Sequence, residues 1–311
     1  MNFSPNILTA VIAATGVAGH PGELSEAELI ARYPALAMAA SVVLALGLIC
    51  DAYLLYRFLS ARNRGAGSRA FCLNIQPKPW SVRDLALFAG AGILLLLLGN
   101  GYVFLGAKFA RLDEDQTFSA AITAELFLRL VMLAGLLLFF RNRRLDWREA
   151  FGLRQSSRLK SLTQGVIFYL AVLPPLTAIS IVNLPLCKLL RIKPSPQPVA
   201  DLFLTSDSVW LLVVLVGFAV VVAPLFEETV FRGLAYPTLK QRWGTRSAML
   251  GVSALFALMH MHAPSFAPLL ALGLGLALAY EWTGSLLTPI IMHALFNFGS
   301  VIVLFYTRTH A

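Results

Sequence analysis

Apolar residues run without interruption for about the thickness of a bilayer at residues 34–59, 84–106, 117–140, 161–183, 208–230, 246–262, 266–282 and 286–306. The runs are continuous rather than alternating, and a segment in lipid must satisfy its backbone groups internally, so the pattern predicts helices. About 20 such residues cross a hydrocarbon core of roughly 30 Å. The expected fold is all-α, a polytopic transmembrane bundle of about eight spans. Pro174 and Pro175 predict a kink in the fourth span, and the Pro-rich stretch Pro194 to Pro198 separates a first half from a second. A milder apolar stretch, Asn6 to Gly19, has no basic residues ahead of it and predicts an interfacial or short re-entrant segment.

Composition agrees. Hydrophobic residues make up 58% of the 311 positions and charged residues 13%, about half the roughly 25% of soluble domains. The formal charge of +9 does not point to nucleic acid, because the Lys and Arg lie in short segments between apolar runs. Membrane lipid is the expected surrounding, in a multi-pass arrangement. Arg57, Arg62, Arg64, Arg69, Lys78 and Arg83 follow the first span, and Arg141, Arg143, Arg144, Arg148, Arg154, Arg158 and Lys160 follow the third. The positive-inside rule makes both segments cytoplasmic. Lys108 and Arg111, offset by Asp113, Glu114 and Asp115, suit the opposite face, to which eight spans also return the C-terminus. Trp147, Phe151 and Leu153 among the arginines predict a short helix lying in the interface. Cys50, Cys72 and Cys187 are odd in number and lack CxxC spacing, so neither a disulfide framework nor a thiolate metal site is expected.

Ionisable residues at membrane depth are costly and are functional candidates unless paired. Glu125 and Arg129 are four apart on the third span and can neutralise each other on one helix face. Asp51 lies near Tyr53 and Arg57 at the cytoplasmic end of the first span, where snorkelling or capping accounts for it. The fifth span ends in Ala223-Pro224-Leu225-Phe226-Glu227-Glu228-Thr229-Val230-Phe231-Arg232-Gly233. Glu228 and Arg232 can form an i,i+4 pair, while Glu227 is rotated about 100° away and lacks that partner. Glu227 is therefore free to face a water-filled cavity as a base. On the sixth span Phe256 and His260 lie one turn apart, with His262 following; on the eighth, His293 and Asn297 project side by side. Each could be an ordinary polar contact between helices.

Together they amount to more. A carboxylate base, two imidazoles and an amide suit peptide hydrolysis without a covalent intermediate, in which a water loses a proton and an oxyanion is stabilised. Glu227 with His260 could activate the water, and His293 with Asn297 could donate to the oxyanion. Neither a serine-nucleophile elbow nor HExxH is present. Depth is the difficulty. A fifth span ending near Glu227 would leave His260 roughly 20 Å away along the sixth, so the fifth helix is expected to continue through Tyr236.

EETVFR at 227–232, FALMH at 256–260 and HALFN at 293–297 resemble the EExxxR, FxxxH and HxxxN motifs of the CAAX protease and bacteriocin-processing (CPBP) family, which includes the type II CAAX prenyl endopeptidases. The resemblance covers roughly residues 145–306. It implies a glutamate-type intramembrane endopeptidase domain over 141–311, after an N-terminal transmembrane region, 1–140, of unassigned role. It implies catalytic roles for Glu227, His260, His293 and Asn297, supporting roles for Glu228, Arg232 and Phe256, and a membrane-associated peptide or protein as substrate. No cofactor is implied, although a divalent ion at Glu227, His260 and His293 is an alternative that the donor types permit. A bacterial cytoplasmic membrane is the expected location. The competing functions are a non-proteolytic binding or immunity protein on the same fold and a transporter, against which the lack of internal repeats weighs.

Overall fold

The computed structural model describes residues 33–61, 63, 75–110, 114–154, 156–192, 195 and 197–309. The stretch Asn6 to Gly19 lies outside them. The described residues form helices joined by short loops, with no strand among them: α1 (Pro34–Ala61), α2 (Val82–Ala110), α3 (Glu114–Asn142), the four-residue α4 (Trp147–Ala150), α5 (Arg158–Leu189), α6 (Pro198–Thr205), the long stretch α7 (Val209–Met259), α8 (Phe266–Thr283) and α9 (Leu287–Thr309). Seven of these are long and apolar enough to cross a membrane. The chain is a multi-pass integral membrane protein.

The difference from eight spans lies in α7, which holds both the fifth and the sixth. A straight helix of its 51 residues would be about 76 Å long and would hold Phe231 and Phe256 about 37 Å apart. Their rings are 5.5 Å apart. The stretch is therefore a hairpin, folded at Gly244, whose φ of 74° and ψ of 172° break the helical path at little cost for a residue without Cβ. The first limb (209–243) runs through Tyr236 and far beyond the last strongly apolar residues. Glu227 comes 17 residues before Gly244 and His260 comes 16 after it, so the hairpin returns His260 to the depth of Glu227.

Around this hairpin α5 packs against α1, α8 and α9, while α2 and α3 pair with each other and touch α7 more lightly. At the α1–α5 crossing, Pro174 deprives the Leu170 carbonyl of its usual helical donor. Gly47 lies against that oxygen so closely that a Cβ would sit 2.5 Å from it.

One end of the bundle gathers the basic segments. Lys78 donates to the Ala150 carbonyl, Lys240 to that of Ile75 at 3.1 Å, and the Leu286 N–H to that of Phe151 at 2.9 Å. Beneath them Trp80, Phe140 and Phe151 stack edge to face at 5.5 and 5.2 Å. This corrects the interfacial reading of the 141–160 segment. Asp146 caps α4 and Trp147 stays exposed, but Phe151 and Leu153 turn inward onto the core. A ring buried under its own loop gains more from dispersion and area than one left at the headgroups.

Gly152 makes that turn inward possible. Its φ is +69°, and a Cβ there would lie 1.8 Å from the Gly284 carbonyl oxygen. Gly152→Ala is expected to lower the thermal unfolding midpoint in detergent by roughly 5 °C or more. Gly90→Ala, where a Cβ meets nothing within 4 Å, should leave it unchanged; equal midpoints for the two variants would contradict this packing.

Candidate active site

The first limb of α7 is not a uniform helix where the carboxylates sit. Two π-helical turns, Phe218–Val222 and Thr229–Ala235, bracket the short α-helical piece Ala223–Glu228. Such bulges are rare and recur at functional sites. Their origin here is partly Pro224. In the π register the Ala223 N–H bonds the Phe218 carbonyl, so the Ala219 carbonyl would next accept from residue 224, which has no N–H. Asn297 supplies the missing donor, Nδ2 to Ala219 O at 2.7 Å. This bond ties α9 to α7 and fixes the carboxamide, whose second N–H is left to other uses.

Nine residues further along the limb, Glu228 and Arg232 are both fully buried and paired, Nη1 to Oε1 at 2.9 Å. The same Oε1 accepts from His293 Nδ1 at 2.8 Å, and Arg232 Nη2 donates to the Gly273 carbonyl at 3.0 Å. Gly273 admits this approach because α8 lies against α7 there with no room for a side chain: a Cβ would meet Ser253 at 3.0 Å. One carboxylate thus joins both limbs' partners, α8 and α9. The expected i,i+4 pair is present, and it has a third member that helical spacing cannot reveal.

His293 is 3% exposed and faces two ways. Since Glu228 can only accept, Nδ1 carries the hydrogen, and Nε2 points at Glu227 Oε2, 4.0 Å away. That is too long for a direct hydrogen bond and short enough for both atoms to hold one water. Phe256, fully buried, is the packing centre of the site. Its ring lies 4.7 Å from that of His260 and 5.8 Å from that of His293, with the Arg232 guanidinium over it at 4.7 Å. His260 caps the second limb, half-buried, with Nδ1 on the Phe256 carbonyl at 2.8 Å, leaving Nε2 to face outward from its own helix.

Glu227 has a partner that the sequence reading did not assign. Arg129 on α3 reaches it at 3.9 Å, while also pairing with Glu125 at 2.6 Å and lying over the rings of Phe218 and Phe226. The Glu125–Arg129 pair is present as expected, yet its cation also faces the candidate base. An Arg at membrane depth was the available signal. His262 stands apart from the cluster, held by Ser265 at 2.8 Å and Ser195 at 3.2 Å. Burial pushes its imidazole below the ordinary value, the Ser195 hydrogen bond opposing and His260 adding to the shift.

Among the described residues no group of three or more His, Cys, Asp and Glu side chains is disposed to hold a metal ion.

Residues 208–299 match the family described as Type II CAAX prenyl endopeptidase Rce1-like. The match covers 92 of the 311 residues, and over that segment the chain is similar to the type II CAAX prenyl endopeptidases. No curated protein and no solved structure matches it. The matched segment runs from the start of α7 through Asn297 and includes every residue of the cluster except Glu125 and Arg129.

The two adjacent glutamates should separate sharply in stability assays. Glu228→Ala strands Arg232 without a counter-charge in the core and is expected to cost about 3–5 kcal/mol. Glu227→Ala loses only contacts near 4 Å and should cost under about 1 kcal/mol. Thermal unfolding of the purified variants in detergent measures both; similar losses for the two would contradict the assignment of Glu228 as the structural member.

Proposed function

We propose that this protein is a glutamate-type intramembrane endopeptidase that hydrolyses a peptide bond of a membrane-associated protein or peptide. The observation that carries the reading is the 4.0 Å approach of Glu227 Oε2 to His293 Nε2, with His293 held from behind by buried Glu228. A water between the candidate base and imidazole can lose a proton to the Glu227 carboxylate as its oxygen attacks the carbonyl carbon. His260 steers that water through Nε2. The developing oxyanion takes hydrogen bonds from Asn297 and from His293. Because His293 commits Nδ1–H to Glu228, Nε2 donates only from the imidazolium, and Glu227 and Glu228 are the counter-charges that form requires. As the tetrahedral intermediate collapses, Glu227 returns the proton to the departing amine, and the products are a new carboxylate and a new amine.

The supporting groups have distinct parts in this scheme. Glu228 orients His293, Arg232 neutralises Glu228, and Phe256 fixes the distance between the two imidazoles. Pro224 frees the carbonyl that aligns Asn297.

The test is cleavage of a library of membrane-proximal peptides by purified protein in lipid nanodiscs. Glu227→Ala and His260→Ala are expected to abolish turnover. Asn297→Ala should lower kcat by about 10²–10³-fold while changing KM little, as loss of one oxyanion donor does. Undiminished cleavage by Glu227→Ala would rule out the mechanism. Full cellular function of that variant would favour a non-proteolytic binding or immunity role instead.

A further inference from the structure

One face of α3 is turned to the bundle. Ile122, Met132, Leu136 and Phe140 are buried on it, and Glu125 and Arg129 stand in the same row at helical spacings of three and four. The row meets α7 along Phe218–Val222 and Ala223–Glu228, the pieces that carry the carboxylates. A guanidinium in such a row is costly unless a counter-charge accompanies it. Glu125 supplies one from the preceding turn of α3, at 2.6 Å. A second carboxylate is therefore not needed to keep Arg129 where it is, yet Nη2 is turned to Glu227 Oε1, 3.9 Å away.

Two rings of α7 fix that direction. The Arg129 guanidinium carbon lies 4.7 Å from the ring centre of Phe218 and 5.7 Å from that of Phe226, the residue before Glu227, so the cation is docked on the stretch that carries the candidate base. The other oxygen of that base, Oε2, faces His293 Nε2 at 4.0 Å. One carboxylate thus has its two oxygens turned to two partners, one from α3 and one from α9, and the pair of contacts opposes rotation about its last bond. Glu125 sets how strongly. While it holds Nη1, Arg129 stays at arm's length; without it the guanidinium would close on Glu227 as a bidentate pair, and the base would be locked as Glu228 is by Arg232.

We infer that Arg129 is a positioning residue for Glu227: it turns the carboxylate so that Oε2 is presented beside His293, and Glu125 keeps its approach loose enough for Glu227 to take a proton and give it back. The catalytic consequence rests on the peptidase reading; the contact does not. The functional unit then includes α3, outside the matched segment 208–299.

Turnover of the membrane-proximal peptide library by purified full-length variants in nanodiscs tests it. Arg129→Met is expected to lower kcat by about 10²-fold with KM little changed, the effect of misplacing a reacting group by about 1 Å. Glu125→Gln should lower kcat by a different route, the closing of Arg129 on Glu227, and should therefore add nothing once Arg129→Met is present. Losses that multiply in the double variant, or an unchanged kcat in Arg129→Met, overturn the proposal. Where Arg129→Met does not fold, Arg129→Lys takes its place, because one ammonium cannot span both carboxylates as the planar fork does. The contact itself is read without turnover from the infrared carboxylate band of Glu227, isolated in each background as the difference from Glu227→Gln. That band should shift in opposite directions in Arg129→Met and in Glu125→Gln. An unshifted band overturns the proposal even where kcat falls. If the wild type cleaves nothing, the peptidase reading and the catalytic consequence fall together, and the band alone decides whether Arg129 orients Glu227.

Discussion

A single carboxylate oxygen, Glu228 Oε1, accepts from Arg232 at 2.9 Å and from His293 at 2.8 Å, with Glu228 and Arg232 fully buried. Removing a charge from water costs several kcal/mol, so the arrangement survives only if every partner is in place. Arg232 must reach the Gly273 carbonyl, which needs α8 to lie tight against α7. His293 must come from α9 at the right height. The segments α7, α8 and α9 are therefore tied together at one ion pair, and the His293 imidazole is oriented as a consequence. Without hydrophobic driving force between helices in lipid, packing and buried polar contacts have to supply such ties.

Glu227 is the complement of this. Its neighbour in sequence is locked; it is not. Arg129 and His293 stand about 4 Å from its two oxygens, near enough to bias its position and too far to hold it. The irregular helix makes the difference possible. Pro224 and the two π-helical turns change which carbonyls are free and which way successive side chains point, so that Glu228 turns into the packed core and Glu227 toward Arg129 and His293. Arg129 comes from α3, outside the matched CAAX protease segment, which joins the otherwise loosely attached α2–α3 hairpin to the chemistry of the site.

Much of this was legible in the sequence. Spans show as apolar runs because lipid imposes the same demand on every segment, and Glu228–Arg232 shows because i,i+4 spacing is a local rule. The motifs in fixed order suggested one site, and of their residues Glu227 and His293 stand 4.0 Å apart. The hairpin at Gly244 was legible only as a conflict of depth, since hydropathy ends a span where the apolar residues stop, whereas the helix continues through Tyr236 on polar and basic residues. Other features depend on tertiary distance: Arg129 facing Glu227, His293 as third partner of Glu228, and Phe151 turned into the core. Asn297 is intermediate. Pro224 announces an unpaired carbonyl in its helix, but which donor fills it depends on where α9 lies.

The most direct measurement of the central claim is a double-mutant cycle on Glu228 and Arg232, both replaced by Met, with unfolding free energy read in detergent. If one buried ion pair ties these segments together, each single variant loses about 3–5 kcal/mol, and the double variant recovers a large part of it because no charge is left stranded, giving a coupling of at least about 2 kcal/mol. Losses that simply add would show that the pair is not the interaction on which the site depends.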